Sequence, residues 1–402
     1  RMVEKLKNVK SVEMNRQEFI DLCNKSLNEI KYDFINDWKK IGMTCDFSKT
    51  YSTIDKHSIK TSQYSFIELY RKGLLYQKEA PTMWCVTCQT AIAQAELEDK
   101  EIESSFNEIN FELENGKKIP IATTRPELLP ACIAIFVNPK DNRYKNLIGK
   151  KVKVPLFNQV VSIIGDDSAD PKKGTGAMII CSYGDKYDVE AIKKFKLNPR
   201  TIVSKNGRLN ELAKKYKNLY VKDARKEILN DLEKNKFLFS KKPIKHIVNV
   251  HDKCGTEIEF LNSKQWFVKI LDNKKKFIDA GKEIKWYPKI MLNRYLNWVS
   301  GIQWDWCISR QRHFGVPFPV WYCNKCNEII LADEDELPVD PLNIKKKCKK
   351  CNNYANPEKD VMDTWATSSL TPQIILNWVE KKNNFPKMYP MSLRPNAHEI
   401  IR

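Results

Sequence analysis

The stretch Ile109-Asn110-Phe111-Glu112-Leu113-Glu114-Asn115-Gly116-Lys117-Lys118-Ile119-Pro120-Ile121-Ala122-Thr123-Thr124-Arg125-Pro126-Glu127 alternates apolar and polar residues, breaks at Asn115-Gly116, and resumes the alternation at Ile119 and Ile121. Side chains two apart share one face of a strand, and Asn-Gly supplies the backbone that a two-residue hairpin turn demands, so a strand pair with one buried face is expected. Short apolar runs follow at 131–137, 160–164 and 177–181, divided by Pro, Gly and Asp, with helical spacing around 188–195 and 223–232. Residues 100–262 therefore read as an inserted, strand-rich α/β domain.

Working outward, Ile20, Cys23, Leu27, Ile30, Phe34, Trp38 and Ile41 recur at steps of three and four, which predicts a long amphipathic helix closed by Gly42. A second helix carries Phe66, Leu69 and Tyr70 and stops at Gly73. Residues 1–99 read as the edge of a larger domain, to which 263–402 return, with a cysteine-rich ribbon at 321–353. A chain of 402 residues exceeds the span of one core, so two or three packed units are expected. A formal charge of +19 favours a polyanionic partner, foremost nucleic acid; lysine runs such as that from Asn273 to Phe277 are also read as surface bias. No run approaches the ~20 apolar residues of a membrane span and no leader opens the chain, so a cytoplasmic protein with no membrane partner is expected. The first residue is Arg1 and not Met, and a partial chain is expected.

Twelve cysteines in such a chain are expected to stay reduced, so paired Cys-x-x-Cys sequences point to metal. Cys323-x-x-Cys326 and Cys348-x-x-Cys351 supply four thiolates for one tetrahedral Zn2+, a closed and hence structural site. Cys85-x-x-Cys88 and His251-x-x-Cys254 flank the insertion and offer a second set, which would bring its two stems together. Thr123, Thr124 and Arg125 end the second strand: their hydroxyls and guanidinium suit ribose and phosphate, and the plain alternative is a polar loop in which Arg125 pairs with Glu127. Asp185 and Asp188 follow the Gly174-Thr175-Gly176 strand; they suit an ammonium ligand or merely cap a helix. Trp304, Arg310 and Phe314, with Asp363 and Trp365, are candidate walls of a small-molecule pocket, against an ordinary aromatic core with surface cations.

In order, MWCVTCQTAIAQAELE (83–98), ATTRPELLPACIAIFVNP (122–139), GTGAMIICSYGDKYD (174–188), KQWFVKI (264–270), WDWCISRQRHFGVPFPVWYC (304–323), DVMDTWATSSL (360–370) and SLRPNAHEIIR (392–402) resemble the valyl-tRNA synthetases of archaeal type, within the class I aminoacyl-tRNA synthetases. The resemblance covers essentially the whole chain. It implies an α/β protein: a partial Rossmann-type class I catalytic core, interrupted by a strand-rich α/β editing domain and carrying zinc-binding knuckles. It further implies that Thr123, Thr124 and Arg125 hold the terminal adenosine and backbone of threonyl-tRNA, that Asp188, with Asp185, takes its free ammonium, and that water is the nucleophile. The established figure for valyl-type pockets, discrimination against threonine of only about 100-fold, is why such a second site is needed. Valine-specific tRNA, L-valine and ATP with Mg2+ are the implied partners of the full-length enzyme, and a monomer is expected.

Two departures stand out. Neither a HIGH-like nor a KMSKS-like sequence occurs, and the resemblance places these upstream of Arg1 and downstream of Arg402, so this fragment alone is not expected to aminoacylate. His313-Phe314 also stands where many relatives carry two tryptophans. The competing readings are an isoleucyl-type fragment, a free-standing threonyl-tRNA hydrolase, and a non-enzymatic zinc-ribbon RNA-binding protein.

Overall fold

The computed structural model describes residues 2–380 and 385–401. Two compact units emerge, one formed by Arg1–Lys78, Ala93–Ala95 and Gln265–Arg402, the other by Glu79–Ile92 and Glu96–Lys264. The second unit begins at Glu79 and not at 100. Trp84 and Cys85 pair antiparallel with Ala91 and Thr90, and the first cysteine pair belongs to that unit.

The second unit is built on a mixed sheet of β1 (Leu97–Leu113), β2 (Lys118–Thr123), β3 (Cys132–Val137), β4 (Lys151–Lys153), β5 (Val160–Gly165), β6 (Ala177–Cys181) and β7 (Leu238–His251). Its order is β2-β1-β4-β5-β3-β6, with β7 also on β1, and the edge strands β2 and β6 curl towards each other. Ile109, Phe111 and Leu113 face inward opposite Ile121, Ile119 and the chain turn, as the alternation demands. The turn itself differs from expectation. Leu113 N–H donates to Lys117 O and Gly116 N–H to Leu113 O, leaving a three-residue loop with Gly116 at φ +75°, the left-handed residue that such loops require. β3 and β5 are parallel, and the remaining pairs of the sheet are antiparallel.

Two helices cover the sheet. α1 (Lys186–Phe195) is N-capped by Asp185, and Ala191 packs with Ala134, Phe136 and Ile180. α2 (Val221–Lys234) buries Val221, Ala224, Ile228 and Leu232, an apolar stripe at helical spacing. The long ribbon of β1 and β7, running from Leu97 opposite His251 to Ile109 opposite Leu238, was not expected from the sequence.

In the first unit the helix Arg16–Lys40 forms, capped by Asn15, but only its first half is covered: Phe19, Cys23 and Ser26 are buried, whereas Phe34 is 61% and Ile41 73% exposed. The helix Lys56–Arg71 ends where expected, with Gly73 at φ +66°. Phe66, Trp266 and Phe318 meet edge-to-face and stacked at 5.2–6.2 Å between centroids in the core of this unit. Antiparallel pairs join 267–268 to 306–307 and 309–310 to 361–362, and a four-stranded antiparallel ribbon carries the second pair of cysteine knuckles. Parallel Rossmann pairing is not among these. No described helix is long and apolar enough to cross a membrane.

Candidate functional site

Both cysteine sets converge. Cys85, Cys88, His251 and Cys254 form one group and Cys323, Cys326, Cys348 and Cys351 the other, the ligand atoms of each lying within 4.8 Å of one another. In the first, Cys254 Sγ lies 3.5 Å from Cys85 Sγ and 3.6 Å from Cys88 Sγ, and His251 Nδ1 is 3.3 Å from Cys88 Sγ. In the second, the thiol separations are 3.3–3.7 Å. Four thiolates at zinc-ligand distance around one ion would stand about 3.8 Å apart along each tetrahedral edge, so both cages have the size such an ion needs. The backbone explains why: the residue after each second ligand, Gln89, Gly255, Asn327 and Asn352, is left-handed, with φ between +50° and +67°, and turns the chain back over the sulfurs. His251 is fully buried, and its Nε2 lies 3.6 Å from the Asp252 carboxylate, beyond hydrogen-bond reach. These closed donor sets could each hold a structural metal ion and leave no open coordination position for catalysis.

The 123–125 and 184–188 turns, far apart in sequence, are brought together by one side chain. Arg125 Nε donates to Glu127 at 3.0 Å, Nη1 to the Gly184 carbonyl at 3.0 Å, and Nη2 to both carboxylate oxygens of Glu259 at 2.7–2.8 Å. Arg225 completes the cluster by donating two hydrogen bonds to Glu127. Burial alone would raise the Glu127 carboxyl, but two guanidiniums outweigh it and hold it below its ordinary range. Glu259, equally enclosed and paired with Arg125 alone, is raised by burial. All three guanidinium nitrogens of Arg125 are thus engaged within the protein. The pairing with Glu127 accords with the plain reading of the motif.

Thr123 Oγ1 accepts from the Arg125 N–H at 3.0 Å, and Thr124 is half-buried beside it. Asp185 is exposed and caps α1 by accepting from the Asp188 N–H. The Asp188 carboxylate is 8% exposed and accepts from the Cys181 and Gly184 N–H groups, both at 3.0 Å. Gly184 is required for this seat, since a Cβ there would stand 2.5 Å from Asp188 Oδ2. Burial, and next the charge of Asp185, push the Asp188 carboxyl up to about 8. Cys132 and Cys181 lie close by, but burial raises both thiols far above neutrality, so neither supplies a thiolate nucleophile.

In the first unit, Arg310 and Asp363 are fully buried partners at 2.7 Å. Arg310 also donates to the Cys307 and Ser309 carbonyls, and Trp306 Nε1 donates to Asp363 at 3.2 Å. Asp363 in turn caps the short helix Thr364–Ser368. This pair locks the 304–315 and 361–369 segments together, and at 0% and 1% exposure both side chains lie inside the protein, not on the surface of a pocket. Trp304 is half-buried, Trp365 is 36% exposed, and Phe314 packs on the small cluster of Val3, Phe19 and Cys23.

Sequence reasoning missed Glu259 and Arg225. Each is a single charged residue without motif spacing, and only the fold brings them to Arg125.

The valine–tRNA ligase of Thermoplasma volcanium is 46% identical over 404 residues, covering 100% of this chain and 51% of that protein. That of Methanocaldococcus jannaschii is 43% identical over 402 residues, covering 100% and 46%, and that of Rickettsia typhi 42% over 411 residues, covering 100% and 50%. The chain spans about half the length of these curated relatives. The sequence model of the family described as tRNA synthetases class I (I, L, M and V) matches residues 1–402, and the chain belongs to that family.

Proposed function

We propose that this chain is the middle of a valine–tRNA ligase, that the complete protein joins L-valine to its tRNA with ATP and Mg2+, and that the second unit hydrolyses threonyl-tRNA formed in error. The valine-specific relatives along the whole chain support the first part. The observation that carries the second is the Arg125 clamp, which sets the Thr123-Thr124 turn beside the carboxylate of Asp188.

In this reading Thr123 and Thr124 hold the terminal ribose and adenine, and Asp188, protonated near neutrality in the empty site, gives up its proton as it receives the α-ammonium of the threonyl group. Each Asp188 oxygen accepts one backbone N–H and keeps a lone pair for the ligand. Arg125 holds this turn against Gly184. Water attacks the ester carbonyl, the C–O bond to the ribose breaks, and threonine leaves with the tRNA hydroxyl restored; the protein contributes orientation and no covalent intermediate. The two closed cages hold Zn2+ and fix the knuckles that carry them. The first unit is the part of the Rossmann-type catalytic core that flanks the insertion, acting as a monomer in the cytoplasm. A free-standing hydrolase would have no use for the 304–315 and 361–369 segments locked by Arg310 and Asp363, which favours the ligase reading over that alternative.

The test is hydrolysis of threonyl-tRNA and valyl-tRNA, both on the valine-specific tRNA, by this chain and by Asp188→Ala. Selective loss of the threonyl ester that disappears in the variant is the expected result. Equal turnover of both esters, or an unaffected variant, refutes the editing assignment.

A further inference from the structure

Beside the Arg125 cluster, within the second unit, lies an open groove of about 750 Å³ lined by Glu103, Ser104 and Ser105 of β1, Lys241 and Lys245 of β7, and Arg225 of α2. Lys241 and Lys245 are exposed, and among the described residues neither has a carboxylate within 4 Å; their neighbour Lys242, on the opposite face of the strand, pairs with Glu108 at 3.1 Å. Four residues of strand separate the two lysines by about 13 Å, so they present a line of positive charge with hydroxyls alongside. Phosphates take hydrogen bonds from this combination of groups.

The groove is wired to the candidate site by two short routes. Ser105 Oγ donates to Asn107 Oδ1 at 3.0 Å, and Asn107 Nδ2 donates to the Thr123 carbonyl at 3.2 Å. Arg225 reaches Arg125 through the shared carboxylate of Glu127. Asn107 of β1 stands opposite Thr123 on one side and Lys241 on the other, so Lys241 and Thr123 lie two strand spacings apart, about 10 Å. A few nucleotides of single strand cover that distance.

We propose that this groove is the track for the single-stranded end of RNA, with Lys241 and Lys245 neutralising backbone phosphates upstream of the nucleotide whose ester sits between Thr123 and Asp188. The proposal rests on the hydrolytic reading for its direction, but the groove can be tested without it. Glu103, directly opposite Lys245 in the β1–β7 register, is the one carboxylate among the lining residues named, and it opposes the ligand.

The probe is a fluorescein-labelled RNA single strand of about eight nucleotides with the tRNA 3′ sequence, unacylated, titrated against the whole chain by anisotropy over a range of salt. Lys241→Ala with Lys245→Ala is expected to weaken binding about tenfold or more at low salt and to flatten the slope of log K against log salt by about 1.4, the value for two phosphate contacts on a single strand. Glu103→Gln is expected to tighten binding, a sign that general loss of stability cannot produce. Unchanged affinity and slope in the double lysine variant, or no tightening from Glu103→Gln, overturns the track. Failure of the hydrolytic reading would appear separately, as an unmodified chain that leaves threonyl-tRNA intact, and the oligonucleotide result would still decide the groove.

Discussion

Replacing Arg125 by Met removes a guanidinium that holds three groups at once, and the cost follows from what is left behind. Glu259, whose side chain is 6% exposed, loses its bidentate partner and stays enclosed as an uncompensated charge, whereas Glu127 keeps Arg225. Removing one member of a buried pair costs about 3–5 kcal/mol, and the lost bond to the Gly184 carbonyl adds about 1 kcal/mol. Glu259→Met alone leaves Arg125 with Glu127 and Gly184, and at 23% side-chain exposure its freed nitrogen can turn to water, so about 1–2 kcal/mol is expected. With both residues changed to Met no stranded charge remains, and the double variant should recover about 2–3 kcal/mol relative to the sum of the singles. Amide exchange across 118–137 and 177–188 reads this locally. A 4 kcal/mol loss that opens the whole unit appears as exchange faster by about three orders of magnitude. Strict additivity of the two single changes refutes the clamp. A drop in the salt slope of tRNA binding by about 0.7 on losing Arg125 alone would show that it meets a phosphate after all.

Gly184→Ala drives a Cβ to within 2.5 Å of Asp188 Oδ2 and 2.9 Å of Leu128 Cδ1, so thermal unfolding should show a loss of about 1–3 kcal/mol together with reduced hydrolysis of threonyl-tRNA. The raised Asp188 carboxyl has a definite sign. The folded chain binds the proton more tightly than the unfolded one, so stability is full below about pH 4 and falls as pH rises through about 8, by at most roughly 6 kcal/mol. Melting temperature measured from pH 5 to 9 should decline with a component that Asp188→Asn removes, and a variant with the same decline excludes Asp188 as its source. Metal analysis of the purified chain should find two zinc ions per molecule, falling to one in a Cys348→Ser/Cys351→Ser variant; a strong chelator should release both and expose the knuckles to proteolysis.

The features legible in the sequence were those whose chemistry imposes a spacing. Ile109, Phe111, Ile119 and Ile121 alternate because a half-buried strand allows nothing else, and Cys323, Cys326, Cys348 and Cys351 are paired because one small ion needs four donors. Where spacing was only permissive, reading went astray. Asn115-Gly116 fits a two-residue turn, but the Leu113–Lys117 pairing made Gly116 the third residue of a longer one. The stripe on Arg16–Lys40 runs past the part of the helix that its unit covers. The β1–β7 ribbon was invisible because it carries charged or exposed residues on both faces along much of its length, which erases the period that marks a strand. The charge cluster had no linear signature at all: Arg125, Glu127, Arg225 and Glu259 obey no interval, and their common position is a property of the folded sheet. That has a consequence for the functional assignment. In the proposed reading Thr123 and Thr124 meet the substrate and Arg125 holds their turn in place, and sequence alone cannot separate the two roles. Bonding weights the two roles: Arg125 spends four of its five N–H groups on Glu127, Gly184 and Glu259, whereas exposed Lys241 and Lys245, outside every motif, have no carboxylate within 4 Å among the described residues.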